Sequence, residues 1–363
     1  RRSAIGSQSA LLSAPRRRPG DRPPLSSCFL MTSTSATHMD KSFHLTPSFR
    51  PRLVVPVLAT LVSLAGLVAC GGGGSADAAT PTGGTSTTTT TTTAGVLCDY
   101  SSSVFNSSPS VNAAAQAAWS CSGTRRTLTA NGLPDHAVGV FPSRDNPNAI
   151  TAQSIAASGP LLPVLTSTAT VRGGPRGDTG WILNGVKIDA GTAGSCNDSG
   201  SCSLIGNTGS WSIEALGQSS FNFGVDSNNA HVQPGGTYHY HGMPEGFITK
   251  LGKGQAMTLV GWAADGFPIY ARYGHSVAGD ASSPLKEMQG SYRLKSTTPS
   301  NRPATSLFAM GTFQQDYEYV AGAGDLDECN GRTGVTPEFP KGIYHYYATD
   351  TYPYLQRCVK GQL

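Results

Sequence analysis

The sequence predicts a mainly β protein: a single disulfide-stapled β-sandwich or barrel-like domain with minor helix, preceded by a leader and a flexible linker. Three observations predict it. Gly (44) and Pro (24) recur throughout the 363 residues and interrupt any long helix. From residue 96 onward, short apolar runs are broken by turn residues about every 8–12 positions. Charged residues make up 13% and hydrophobic residues 38%, which leaves material for a core but excludes a coiled coil or a multi-span bundle.

The formal net charge is +4, and nine arginines and lysines between Arg1 and Arg52 supply the excess. The remainder is nearly balanced and carries no basic stripe, so nucleic-acid binding is not indicated. Residues 1–38 read as translated upstream sequence, because Met31 or Met39 can serve as the initiator. From Met39, Lys41, Arg50 and Arg52 form a basic n-region, and Leu53–Ala69 is an uncharged apolar h-region of 17 residues. Residues 39–69 are therefore predicted to be a signal peptide. Its end, Leu67-Val68-Ala69-Cys70, resembles the lipobox of bacterial lipoproteins. That resemblance implies a lipid on Cys70, a membrane anchor and a place in the cell envelope, with Gly71 pointing to the outer membrane. Residues 70–95, including the run Thr87–Thr93, hold nothing able to bury a face and read as a tether. The folded domain is expected over 96–363.

In that domain the strand candidates are Ala137–Phe141, Trp181–Ile188, Trp211–Ala215, Thr237–His241, Met257–Trp262, Ile269–Tyr273 and Gly342–Tyr347. Turns are expected at Asn131-Gly132, Asn184-Gly185, Pro234-Gly235-Gly236, Asp265-Gly266 and Asn330-Gly331. Asn112–Trp119 and Pro284–Met288 read as helical. The cysteines left for the domain are Cys98, Cys121, Cys196, Cys202, Cys329 and Cys358, and export permits their oxidation. Pairing of sequence neighbours, 98 with 121, 196 with 202 and 329 with 358, is suggested, while other connectivities stay open.

The chemistry concentrates in His231-Val-Gln-Pro-Gly-Gly-Thr-Tyr-His239-Tyr-His241. Strand period two puts His239 and His241 on one face, roughly 6.6 Å apart along the chain, with Tyr238 and Tyr240 behind. Two imidazoles so placed can converge on one ion. If Pro234-Gly235-Gly236 is a three-residue hairpin loop, Gln233 pairs with Thr237 and His231 faces His239, making a triad. A two-residue loop would set His231 opposite Tyr238, on the wrong face. Tyr344-His345-Tyr346-Tyr347 echoes the motif and could supply a further ligand or pack as a pseudo-symmetric strand. The expected cofactor is a transition metal ion, copper or zinc, on His231, His239, His241 and His345. A buried aromatic ladder and metal-free acid/base chemistry are the competing readings.

Tyr238–His241 also gives the sequence its likeness to a known group: it resembles the YHYH domain family. The resemblance includes Asn131–His136, Asn184-Gly185-Val186, Asp226–Pro234, Asp265–Tyr270 and Leu326–Gly331. It implies a domain type without implying a reaction. Tyr347 departs from the pattern, because the second motif often ends in His. Other candidates are Asp265, as a general base or a turn residue, and Asp325, Asp327 and Glu328, as calcium ligands or a solvated acidic loop. Asp135-His136 and Asp226 could orient imidazoles. His239-x-His241-x-x-x-Glu245 resembles part of the first cupin motif, without a second. A metal-free module would use the Tyr and Trp side chains as a platform for a small molecule or glycan. Oligomeric state is not legible.

Overall fold

The computed structural model describes residues 97–172 and 177–363. Met31, Met39, the apolar run, Cys70 and the tether lie outside the described residues.

The first four strands, β1 (Ser101–Asn106), β2 (Ala113–Ser122), β3 (Arg125–Ala130) and β4 (Ile155–Pro160), form an antiparallel meander. β2 corrects the helix expected over Asn112–Trp119. Alanine favours helix, but here Ala115, Ala117 and Trp119 alternate inward while Gln116, Ala118 and Ser120 face out, and both edges of the strand are paired. Packing overrides propensity. Ala137–Phe141 is not a strand. Its N–H groups donate to side chains instead: Val138 to Ser108, Gly139 to Asp226 and Phe141 to Ser110.

Further along the chain come β5 (Leu165–Val171), β6 (Gly180–Ile182) and β7 (Lys187–Ile188). β8 (Ser195–Cys196), β9 (Cys202–Ser203) and β10 (Trp211–Ser212) make a small sheet. β11 (Ala230–Val232) and β12 (Tyr238–Tyr240) precede the helix α1 (Glu245–Leu251), which ends on Gly252 at φ +62°. Next are β13 (Met257–Ala263), β14 (Pro268–His275) and β15 (Leu285–Glu287), so the helix expected at Pro284–Met288 is an edge strand on β14. β16 (Tyr292–Leu294) pairs with β17 (Tyr317–Tyr319). Last come β18 (Gly331–Gly334), β19 (Ile343–Ala348) and β20 (Cys358–Gly361), the last returning to β5.

The central sheet runs β11-β12-β7-β6-β13-β14-β19-β18, with β15 added at β14. Its path is open, with β11 and β18 at the ends, so among the described residues no closed barrel forms. β13 is buried at every position and reads Met-Thr-Leu-Val-Gly-Trp-Ala, because layers cover both its faces. β12 on β7 and β19 on β14 are the parallel pairs. Disulfides join Cys98 to Cys121, Cys196 to Cys202 and Cys329 to Cys358, which are the sequence neighbours.

Candidate metal centre

The hairpin β11–β12 is built by its loop. Gln233 N–H donates to Thr237 O at 3.1 Å and Gly236 N–H to Gln233 O at 3.0 Å, closing three residues between them. Gly235 and Gly236 take φ of +96° and +85°, where a Cβ is costly. The resulting register sets His231 opposite His239. Side chains directly across an antiparallel pair share a face, and His241 lies two positions beyond His239 on the same face.

The tyrosines take the other face. Tyr238 donates to Asp226 Oδ2 at 2.8 Å, while Tyr240 Oη lies 2.5 Å from His136 Nε2 and 3.3 Å from Asn184 Nδ2. Asp226 and His136 thus hold the tyrosines, not the three imidazoles. Asp135 bonds Asn184 and Lys250.

The three imidazoles form a nearly equilateral group, with ring centroids 4.8, 4.7 and 4.7 Å apart. One ligating atom from each lies within 4.8 Å of the others. The Nδ1 atoms of His231 and His239 face carbonyls, of Phe223 at 2.8 Å and of Thr237 at 3.2 Å. A carbonyl only accepts, so the ring proton sits on Nδ1 and the Nε2 lone pair is left free. Nε2 of His231 lies 3.0 Å from Nε2 of His241. Two ligands on a tetrahedral ion, at roughly 2.0–2.1 Å each, would stand about 3.3–3.4 Å apart. The buried Nδ1 of His241 has no hydrogen-bond partner.

Electrostatics keep these rings neutral, as ligands must be. Burial lowers the pKa of His231 and pushes those of His239 and His241 well below the ordinary range. Neighbouring imidazoles and the Lys187 ammonium push the latter two in the same direction. Lys187 pairs with His239 across β7–β12, and Asp189 follows beside His241. The Lys187 Nζ to Asp189 Oδ2 distance is 2.9 Å, whereas buried Asp189 Oδ1 has no partner and burial raises that carboxyl to about 6. Sequence reasoning missed this pair. The available signal was Val186-Lys187-Ile188-Asp189, whose alternation puts two charges on one face of a strand.

The remaining candidates lie elsewhere. His345 corrects the expected four-histidine set: β19 is five strand positions from β12, about 24 Å at about 4.8 Å each. Its ring is buried between Ile343 O and Tyr347 Oη, at 2.9 and 3.0 Å. Asp265 is a fastener in a turn, accepting from Tyr346 Oη at 2.5 Å, Gly361 N–H at 2.7 Å and Phe267 N–H at 3.2 Å. The acidic loop is equally committed. Asp325 takes Lys286 and Gln289, Asp327 takes Cys329, Gly331 and Tyr344, and Glu328 takes Lys360, so their oxygens do not converge on a calcium ion. Glu245 pairs with Arg272, which removes the cupin-like ligand. Tyr238, Tyr240, Tyr346 and Trp262 are buried and cannot present a surface platform.

A family model described as "YHYH protein" matches residues 156–361 of the chain. No curated protein matches, and no solved structure matches.

Proposed function

The chain belongs to the YHYH protein family, and from that premise we propose that the histidines of the family's motif, His239 and His241, bind one divalent transition metal ion together with His231. The observation that carries this reading is the tautomer lock. Two buried rings spend Nδ1–H on backbone carbonyls and so leave Nε2 bare, the Nε2 of His231 facing that of His241 and all three rings offering a ligating atom within 4.8 Å of the others. Backbone partners of that kind orient the ligands of metal sites. Three imidazoles suit zinc or copper and would leave the fourth position of a tetrahedral ion for another ligand.

The site belongs, on this reading, to an extracytoplasmic protein anchored through a lipid on Cys70. Three disulfides suit an oxidising compartment. The test is elemental analysis of the full chain, produced without a His-tag and dialysed after exposure to zinc or copper. One ion per chain, lost in His239→Ala, is expected. A wild-type protein that is folded yet retains no ion refutes the assignment. For the anchor, Cys70→Ala should move the protein from the detergent phase to the aqueous phase on partitioning.

A further inference from the structure

The central sheet repeats itself. Trp181-Ile-Leu-Asn-Gly-Val-Lys-Ile188 matches Trp262-Ala-Ala-Asp-Gly-Phe-Pro-Ile269 in its Trp, its Asn/Asp-Gly turn and its closing Ile. Asp226-Ser-Asn-Asn-Ala-His231-Val matches Asp327-Glu-Cys-Asn-Gly-Arg332-Thr, and Gly236-Thr-Tyr-His-Tyr-His241 matches Gly342-Ile-Tyr-His-Tyr-Tyr347. The strand order has the same symmetry: β11, β12, β7 and β6 lead in from one edge as β18, β19, β14 and β13 do from the other.

The two halves meet on a pseudo-two-fold axis. Trp181 pairs with Trp262, its own counterpart, while Gly261 pairs with Ile182 and Gly180 with Ala263. Self-pairing of equivalent residues is the signature of an isologous contact. At each of Gly180 and Gly261 a Cβ would collide with the carbonyl of the opposite Trp.

Hydrogen bonds repeat atom for atom. Tyr238 Oη donates to Asp226 Oδ2 at 2.8 Å, and Tyr344 Oη donates to Asp327 Oδ2 at 2.9 Å. Asp226 N–H to Ala230 O and Asp327 N–H to Gly331 O are both 2.8 Å. His241 N–H to Asn229 O is 2.8 Å, and Tyr347 N–H to Asn330 O is 2.9 Å. Asn229 and Asn330 share positive φ, +56° and +60°. His239 and His345 each turn Nδ1 to the carbonyl two residues back, at 3.2 and 2.9 Å.

Superposing the registers maps His231, His239 and His241 onto Arg332, His345 and Tyr347. This second trio also converges. His345 Nε2 lies 3.0 Å from Tyr347 Oη, as the His239 and His241 rings neighbour one another in the first half. Arg332 Nη2 reaches the same Oη at 3.4 Å, where His231 and His241 are in contact in the first half. One half therefore brings three neutral nitrogen ligands together. The other brings one such nitrogen, a phenol and a fixed positive charge, so a cation is kept out.

We infer that the domain is a tandem duplication whose second half keeps the scaffold of the metal centre, with Arg332 and Tyr347 standing in ligand positions and closing it. This rests on the metal reading of the first half, and it deepens that reading. The chain holds one ion per domain, and the second half takes another zinc or copper ion once its ligand set is histidine again.

The probe is zinc or copper alone, counted per full chain by elemental analysis. Arg332→His/Tyr347→His should raise the count from one to two. Placed in a His231→Ala/His241→Ala background, the same pair should raise it from none to one. A folded double variant that stays at one overturns the inference and leaves the first-half reading standing. A wild type at none with a double variant at one does the reverse. The reciprocal exchange His231→Arg/His241→Tyr should give a folded, metal-free protein whose melting temperature ignores chelator, and failure of that exchange to fold also overturns the inference.

Discussion

Removing the titration of His345 should flatten the acid limb of the stability curve. Burial and the nearby Arg332 guanidinium lower this ring's pKa to about 4, against about 6.5 in an unfolded chain. Between those values the unfolded state binds a proton that the folded state refuses, so stability falls as pH drops through the window. A displacement from 6.5 to about 4 is worth about 3 kcal/mol. Asp189 works in the opposite direction. Its folded pKa of about 6 lies above the ordinary 3.8, so acidification relieves a buried charge by about 3 kcal/mol. The wild-type curve is thus a difference of opposing contributions, and the share of His345 is read by comparison with a variant. The assay is urea unfolding of metal-free wild type and His345→Gln from about pH 7 to about pH 4.5. The stability gap between the two should narrow on acidification by about 2–3 kcal/mol, whatever its size at neutral pH. Parallel curves would mean that the ring takes up its proton without penalty, and the described burial would be wrong.

Glu214→Gln should cost about 3–5 kcal/mol in urea unfolding, because it strands the buried Arg357 guanidinium now held by both carboxylate oxygens at 2.9 and 2.7 Å. A loss below about 1 kcal/mol would show the pair to be screened. Gly236→Ala forces a Cβ into φ +85° and against Thr151, so the hairpin should lose at least about 1–2 kcal/mol together with its metal affinity. Unchanged metal binding in that variant would break the link between loop and register. Zinc at about 100 times its Kd should stabilise the wild type by about 2.7 kcal/mol in thermal unfolding, and do nothing for His241→Ala. An equal shift in both would place the ion elsewhere.

What was legible in the sequence was local. Pro234-Gly235-Gly236 specifies a loop length, the loop length specifies the register, and the register puts His231 across from His239. Neighbouring cysteines were legible for the same reason. The alanine-rich β2 was not, since Ala115 and Ala117 carry a helix propensity that only pairing with β1 and β3 overrides. Nor could the distance from His239 to His345 be read. It follows from β6 and β13 meeting at the centre of the sheet, a long-range pairing that no local pattern announces. Asp265 was seen as a turn or a base, and the difference lay in Tyr346 and Gly361, two partners far along the chain. Asp189 stayed hidden because its place beside His241 comes from a parallel pairing.

The central claim is tested most directly by anomalous diffraction at the zinc or copper edge from crystals of the loaded protein. A single strong peak about 2.0–2.2 Å from Nε2 of His231, His239 and His241 is predicted. A fully loaded crystal whose peak lies elsewhere, with the three rings in contact only with one another, contradicts it.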